Sequence, residues 1–307
     1  MTSTEKKVAV VTGANTGLGL ETSLGLARAG YTVVLACRSE AKATAAMEQI
    51  KRQVADASLD FIPLDLVDRQ SIRQFAEVFS QRYDHLNVLV NNAGVMGPPY
   101  TITQNNLELQ FDANHVGHFY LTSLLVDRLD QPYETRIVNV SSLAAKRDHA
   151  DIHFDNLNFE GTYEEGPKMF GLSGMVAYSQ SKLANILFTM EMKDRLQAAG
   201  KNIKAVVVHP GVSRTDLSRN MSPMLQFLAP VLVRFMDISK PEQGAESSLY
   251  GATKPDVSTG DFIGPTGKDE RSGAPGKVPL PPKASDKELC EKLWSKTEEL
   301  LGISFTL

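Results

Sequence analysis

The chain of 307 residues contains little cysteine, little excess charge and no long apolar run. Its two cysteines, Cys37 and Cys290, exclude a disulfide scaffold and indicate a reducing compartment. A formal net charge of −4 excludes the broad basic face with which proteins bind nucleic acid. The most apolar stretch, 221–238, is interrupted by prolines and charged residues. No uninterrupted run reaches the ~20 apolar residues that a membrane span needs. We therefore expect a cytoplasmic protein without a nucleic-acid partner or an integral membrane segment.

Short apolar runs alternate with helical patterns along most of the chain. The runs lack polar alternation, which is typical of strands buried on both faces of a parallel sheet. They are Val8–Val11, Thr32–Ala36, Asp60–Leu64, Val88–Val90, Ile137–Val140 and Ala205–Val208. The helices expected between them are Leu18–Ala29, Glu40–Ala55, Arg69–Tyr83, Leu107–Leu129 and Ala177–Ala199. This order predicts an α/β fold, a single doubly wound parallel sheet of the Rossmann type with helices on both faces.

The last part of the chain is rich in proline and glycine. We interpret Gly264–Ala284 as a long loop and the run Ser285-Asp-Lys-Glu288 as a capping box that begins a final helix. Gly302 is expected to end that helix, and Trp294 to anchor it by packing. Because no linker separates two cores, we expect residues 1–307 to form one domain.

A glycine-rich turn, Thr12-Gly-Ala-Asn-Thr-Gly-Leu-Gly19, follows the first strand and opens a helix. Glycines permit a tight turn and a close approach to a pyrophosphate, and the helix N-terminus offers free N–H groups to the phosphates. The turn therefore predicts a dinucleotide site. Its expected contacts are Gly13, Asn15, Thr16, Gly17, Leu18 and Gly19.

The end of the second strand indicates which dinucleotide is preferred. The run Leu35-Ala-Cys-Arg-Ser39 has no carboxylate for a ribose 2′-hydroxyl, and Arg38 stands where a guanidinium could bind a 2′-phosphate. We therefore predict NADP(H), with Ser39 as a second contact. The alternative is that Arg38 is a solvated surface residue and Glu40 takes the acidic role.

The glycine spacing, together with Asn91-Asn-Ala-Gly94, resembles the short-chain dehydrogenase/reductase family. The resemblance implies that Asn92, Ala93 and Gly94 pack beside the adenosine and ribose of the cofactor, that Asp65 and Leu66 contact the adenine, and that Pro210, Gly211 and Thr215 flank the nicotinamide. The runs Asp155–Glu160 and Ala177–Phe188 are similar to the branch of retinol dehydrogenases and WW-domain oxidoreductases, with protochlorophyllide reductase a more distant relative.

The same resemblance implies a catalytic set of Asn114, Ser142, Tyr178 and Lys182. Tyr178 and Lys182 are four residues apart, so a helix places phenol and ammonium on one face. Lowering a phenol pKa by ~3 units needs about 4 kcal/mol, which a cation ~4 Å away supplies at an effective dielectric near 20. Tyr178 is then the acid in reduction and the base in oxidation. By resemblance, Ser142 binds the substrate oxygen, Lys182 holds the nicotinamide ribose, and Asn114 supports a water chain to Lys182.

Two segments are expected to form the substrate wall: an insertion at about 143–176, and a lid within the extension at about 216–307. The apolar stretch Met221–Met236 favours a small apolar aldehyde, ketone or alcohol as substrate. That stretch could instead pack on the body, form a subunit contact or touch a membrane surface. His115 and His118 lack further ligands at a metal-binding spacing, so we expect no metal.

The leading hypothesis is an NADP(H)-dependent oxidoreductase that transfers a hydride between nicotinamide and an apolar carbonyl or alcohol. The alternatives are a catalytically silent NAD(P)-sensing regulator and a sugar-nucleotide epimerase or dehydratase. The resemblance also implies a homodimer or homotetramer built on the helices at Leu107–Leu129 and Ala177–Ala199.

Overall fold

The computed structural model describes residues 6–163, 172–212 and 241–307. Its described strands form one sheet in the order β3-β2-β1-β4-β5-β6-β7-β8. They are β1 (Val8–Thr12), β2 (Thr32–Cys37), β3 (Leu59–Pro63), β4 (Val88–Asn91), β5 (Thr135–Val140), β6 (Ile203–Val208), β7 (Phe262–Pro265) and β8 (Pro275–Lys277). Strands β1 to β7 pair in parallel, which confirms the predicted Rossmann-like sheet.

Helices cover both faces of this sheet. The described α-helices are α1 (Gly17–Arg28), α2 (Glu40–Lys51), α3 (Arg69–Arg82), α4 (Gly117–Leu129), α5 (Leu172–Ala198), α6 (Pro241–Thr253) and α7 (Lys287–Leu301). A helical turn, Leu109–Phe111, and a π-helical segment, Asp112–Val116, lead directly into α4. Short 3₁₀ helices occupy Leu143–Lys146, Lys268–Glu270 and Pro282–Ser285.

The central strands are apolar throughout because each is buried on both faces. In β1, Val10 belongs to the core cluster that includes Phe75 of α3 and Leu125 of α4. Its neighbour Val11 belongs to the opposite cluster, with Leu24 of α1. Successive side chains of a strand point to opposite faces, so a strand between two helical layers needs apolar residues at every position.

The interpretation of Gly264–Ala284 as a long loop is wrong. The segment contains the end of β7 and all of β8, which pair antiparallel through Ile263–Lys277 and Pro265–Pro275. At this edge the parallel sheet therefore carries one antiparallel strand, β8, that the sequence did not lead us to expect. Proline and glycine are tolerated there because an edge strand has one side without ladder hydrogen bonds.

The last helix begins one residue later than the capping-box pattern predicts. Asp286 is the N-cap, and its carboxylate accepts the N–H of Leu289 at 3.0 Å. Ser285 instead ends the preceding 3₁₀ helix. Gly302 ends α7 in the left-handed conformation, with φ at 63°, which confirms its predicted role.

Trp294 anchors α7 on α4 and α5, as predicted. Its ring centroid lies 4.8 Å from Phe119, 5.7 Å from Phe188 and 4.8 Å from Phe305, and only 1% of the residue is exposed. Helix α7 therefore covers part of α4 and α5, the two helices on which the subunit contact is predicted. The oligomeric state stays a prediction.

We expect Trp294→Ala to lower the free energy of unfolding by about 3–5 kcal/mol, since it leaves a cavity among aromatic rings. Tyr133→Ala is the matched control, because Tyr133 is 37% exposed, and it should cost less than about 1 kcal/mol. Urea unfolding of both variants measures the difference, and equal losses would contradict the anchoring role.

Candidate active site

A cleft of about 740 Å³ opens at the carboxyl ends of the central strands. Ligands of open α/β sheets bind at this edge, where the strand order reverses. The lining includes most of the predicted site residues: Gly13, Asn15, Thr16, Gly17, Leu18, Gly19, Arg38, Ser39, Asp65, Leu66, Asn92, Ala93, Gly94, Ser142, Tyr178, Lys182 and Pro210. Asn114 and Gly211 are not among the lining residues, and Thr215 falls outside the described residues.

The glycine turn leaves room for a ligand at the start of α1. Gly13 and Gly17 have φ values of 65° and 55°, in the left-handed region. A Cβ on Gly19 would lie 2.3 Å from the carbonyl oxygen of Gly13, so a larger residue would fill the turn. Thr16, the N-cap, makes no side-chain capping bond, which leaves backbone N–H groups of the first turn available. These features fit a dinucleotide pyrophosphate.

Thr12 joins this turn to the end of β4. Its hydroxyl accepts the N–H groups of Asn92 and Ala93, both at 2.9 Å. The side chain of Asn92 donates in return to the carbonyl oxygen of Thr12 at 2.7 Å. The two predicted cofactor motifs are therefore held as one unit.

Three polar residues line the cleft at the end of β2: Arg38, Ser39 and Lys42. Ser39 caps α2, with its hydroxyl accepting the N–H of Lys42 at 3.4 Å. Lys42 was missed by the sequence analysis, although its position one turn after Arg38 could have indicated it. Glu40, the acidic alternative, is absent from the lining.

Tyr178 and Lys182 lie one turn apart on α5, both buried beside the cleft. The ammonium nitrogen of Lys182 is 5.7 Å from the centroid of the Tyr178 ring and donates to the carbonyl oxygen of Val140 at 3.0 Å. A Cβ on Gly94 would lie 3.3 Å from the Lys182 ammonium. The predicted catalytic pair therefore borders the Asn-Asn-Ala-Gly run.

The structure distinguishes the two adjacent serines after β5. Ser141 is buried, and its hydroxyl donates to the carbonyl oxygen of Lys182 at 2.7 Å. Ser142 is less buried and acts as an acceptor, taking the N–H of Ala144 at 3.2 Å as the N-cap of a 3₁₀ helix. Both serines line the cleft, but Ser141 gives its proton to the backbone of α5, whereas the contact of Ser142 uses only its oxygen.

Asn114 lies in the π-helical segment and is fully buried. Its amide oxygen accepts the N–H of Val95 at 2.8 Å, while its amide nitrogen donates to the Val95 carbonyl at 2.9 Å and to the Ser181 hydroxyl at 3.0 Å. Asn114 therefore connects the segment after β4 to α5, next to Tyr178 and Lys182.

The neighbouring histidines are packed and uncharged. Burial lowers the pKa of His115 to about 3 and that of His118 to about 4. His118 contacts the Thr12 hydroxyl through Nε2 at 2.9 Å and the Asn114 carbonyl through Nδ1 at 3.0 Å. His115 contacts Thr297 of α7 at 3.0 Å. Among the described residues, no group of three or more His, Cys, Asp or Glu could hold a metal ion.

We expect Asn114→Ala to lower the free energy of unfolding by about 2 kcal/mol, since it leaves the part-buried backbone N–H and carbonyl of Val95 without these partners. Asn202→Ala is the control, because Asn202 is exposed in the loop before β6. Thermal unfolding of the two variants measures the effect. An Asn114→Ala protein as stable as the control would contradict the bridging role.

A family model of short chain dehydrogenases matches residues 7–152. The chain belongs to the short-chain dehydrogenase/reductase family, oxidoreductases that act on CH–OH or C=O groups with nicotinamide cofactors.

Known relatives place it within one branch of that family. It is 38% identical to retinol dehydrogenase 14 of Mus musculus over 97% of this chain and 86% of the relative. It is 37% identical to retinol dehydrogenase 13 of Homo sapiens, over 97% and 85%. A crystal structure of an uncharacterized protein from Mycobacterium paratuberculosis superposes with a TM-score of 0.77 at 34% identity, over 98% of this chain and 95% of that one. This is the retinol dehydrogenase-like branch.

These relatives correct one prediction. The retinol dehydrogenases 11–14 are membrane-associated microsomal enzymes, so the cytoplasmic assignment made from composition is wrong. In the described ranges, no helix is both long enough and apolar enough to cross a membrane. The stretch at 221–238, which was judged too interrupted to span one, lies outside those ranges.

Proposed function

We propose that this protein is an NADP(H)-dependent carbonyl reductase and alcohol dehydrogenase for small apolar aldehydes, ketones or alcohols. One cleft supports the proposal. It is lined by the glycine turn, by the cationic side chains of Arg38 and Lys42, and by Ser142, Tyr178 and Lys182. Nucleotide recognition and acid–base chemistry therefore meet in one cavity.

The glycine turn would hold the pyrophosphate, and Asn92, Ala93 and Gly94 would flank the adenosine and its ribose. Pro210 and Gly211 would flank the nicotinamide, which donates or accepts a hydride when bound. Lys182 would hold the nicotinamide ribose hydroxyls, because its ammonium borders Gly94 in the same cleft.

Tyr178 would be the acid in reduction. As the carbonyl oxygen of the substrate gains negative charge, the phenol donates its proton to that oxygen, and in oxidation the phenolate takes the proton back. The Lys182 ammonium would favour the phenolate and so bring proton exchange closer to neutral pH. Because Ser142 uses its oxygen as an acceptor, its O–H is the group that would donate to the substrate oxygen.

An apolar substrate agrees with the rest of the lining. Val95, Met96, Leu109 and Ala113 line the cleft together with Tyr178. Relatives named as retinol dehydrogenases also act on an apolar alcohol. The predicted lid, Met221–Met236, lies outside the described residues.

The proposed activity is tested by the oxidation of NADPH, followed by its absorbance, with a panel of aliphatic and aromatic aldehydes and ketones. Turnover with apolar members of the panel is expected. Binding of NADPH without turnover of any member would reject the enzyme and favour the sensing regulator.

Tyr178→Phe removes only the phenolic oxygen. We expect it to lower kcat by at least about 10²–10⁴-fold, since the general acid is lost, while the Kd for NADPH stays nearly unchanged. Tyr133→Phe makes the same chemical change at an exposed position and should keep wild-type activity. A Tyr178→Phe enzyme with wild-type turnover would contradict the acid–base role.

Cofactor preference depends in this proposal on Arg38 and Lys42. Each of the two cations would give the 2′-phosphate a charge-assisted hydrogen bond worth about 1.5–3 kcal/mol. The double variant Arg38→Ala, Lys42→Ala removes both bonds. We therefore expect the ratio of kcat/KM for NADPH to that for NADH to fall by at least about tenfold for each side chain removed. Lys51→Ala, at the far end of α2, is the control. An unchanged ratio in the double variant would refute the assignment.

A further inference from the structure

A carboxylate outside the cleft connects two segments that border it. Glu270 lies at the tip of the β7–β8 hairpin, at the end of the 3₁₀ helix Lys268–Glu270. It does not line the cleft. Its side chain contacts Lys146, four residues after Ser142, and His209, which directly precedes Pro210.

The first contact is an ion pair with Lys146. The ammonium nitrogen of Lys146 lies 2.7 and 2.6 Å from the two carboxylate oxygens of Glu270. Both side chains are about one-fifth exposed, so solvent screens the pair less than it screens a surface pair. Lys146 ends the 3₁₀ helix Leu143–Lys146, whose N-cap is Ser142. The ion pair therefore holds the turn that presents Ser142.

The second contact is a hydrogen bond from a fully buried histidine. His209 Nδ1 accepts the N–H of Gly211 at 3.2 Å, which places the ring proton of the neutral form on Nε2. Nε2 donates that proton to Glu270 at 3.0 Å. Burial, with the Lys146 charge, lowers the pKa of His209 to about 4, so the ring is neutral at neutral pH. His209 directly precedes Pro210, which lines the cleft.

The hairpin tip is held tightly against the segment after β6. Asp269 and Glu270 both have positive φ, 52° and 55°, which side chains other than glycine adopt at a cost. The Arg271 carbonyl accepts the N–H of Val212 at 3.0 Å, and a Cβ on Gly211 would lie 2.4 Å from the same oxygen. Little space remains for the tip to shift.

We propose that Glu270 is a positioning residue that fixes the Ser142 turn relative to the Pro210–Gly211 segment by bridging Lys146 and His209. This inference rests on the proposed function. In the proposed reduction, the carbonyl oxygen of the substrate lies at Ser142 while the carbonyl carbon faces the nicotinamide beside Pro210. A misplacement of the reacting groups by about 1 Å can cost roughly 10²-fold in rate. A bridge between these two segments therefore affects the rate of hydride transfer more than the binding of NADPH.

Glu270→Gln keeps the shape of the side chain and removes its charge. We expect kcat with an apolar aldehyde to fall by about 10–100-fold, while the Kd for NADPH changes less than about threefold, since the glycine turn is untouched. The primary isotope effect on kcat with 4-deuterated NADPH should rise, because hydride transfer becomes slower. Asp269→Asn, an exposed carboxylate at the same tip, is the matched control and should keep wild-type values.

The Lys146 side of the bridge offers a conservative rescue. Lys146→Met should reproduce the loss of kcat, and Lys146→Arg, which keeps the positive charge, should restore most of it. Equal losses in the two variants would show that packing at Lys146 matters rather than its ion pair, and would contradict the bridge.

Hydrogen exchange of the cofactor-free protein gives a readout that does not depend on activity. Glu270→Gln should raise exchange in both segments, 141–147 and 205–212, whereas Asp269→Asn should raise it in neither. Unchanged exchange in these segments, or exchange raised in only one, would overturn the proposal. A wild-type protein that reduces no carbonyl would reject the proposed function, and the exchange experiment would still decide whether Glu270 joins the two segments.

Discussion

The hydroxyl group of Thr12 joins three segments of the chain at the cleft. It accepts two backbone N–H groups, from Asn92 and Ala93, and contacts Nε2 of His118. Since Nδ1 of His118 donates to the Asn114 carbonyl, Nε2 is the acceptor, and the Thr12 proton goes to it. The hydroxyl thus uses all of its hydrogen-bonding capacity inside the protein. It connects the glycine turn, the end of β4 and the helical segment that carries Asn114.

The position of this hydroxyl explains why the cleft lies where it does. β1 and β4 are adjacent although two strands separate them in sequence, and the chain extends the sheet in opposite directions on either side of them. With the carboxyl ends of the two strands joined through Thr12, α1 presents its N-terminus, and Asn114 reaches Val95 and Ser181 on the side of Tyr178.

The features that depend on local spacing could be predicted from the sequence. Continuous apolar runs such as Val8–Thr12 correspond to strands with two buried faces, and the glycine turn and Tyr178–Lys182 pair need only a strand and a helix around them. What depends on distant contacts could not be predicted. The edge strand at Pro275–Lys277 exists only because β7 is beside it.

The candidate site shows the same division. Tyr178 and Lys182 form a recognizable pattern, whereas Glu270 is one acidic residue in a glycine-rich stretch and has meaning only beside Lys146 and His209. Ser285 and Asp286 are equally good caps by residue type, and the turn before them decides between the two. Roles that are defined by tertiary contacts have no local signal to read.

The proposed reaction is the transfer of a hydride to a carbonyl carbon from a nicotinamide bound in the cleft that Thr12, Ser142 and Tyr178 line. The most direct measurement is mass spectrometry of the alcohol formed from an apolar aldehyde with NADPH that carries deuterium on the transferred position of the nicotinamide ring. We predict one deuterium on the carbinol carbon of the product, and far less labelled alcohol in the same time with Tyr178→Phe. A wild-type protein that binds this cofactor and yields no labelled alcohol from any aldehyde or ketone would contradict it.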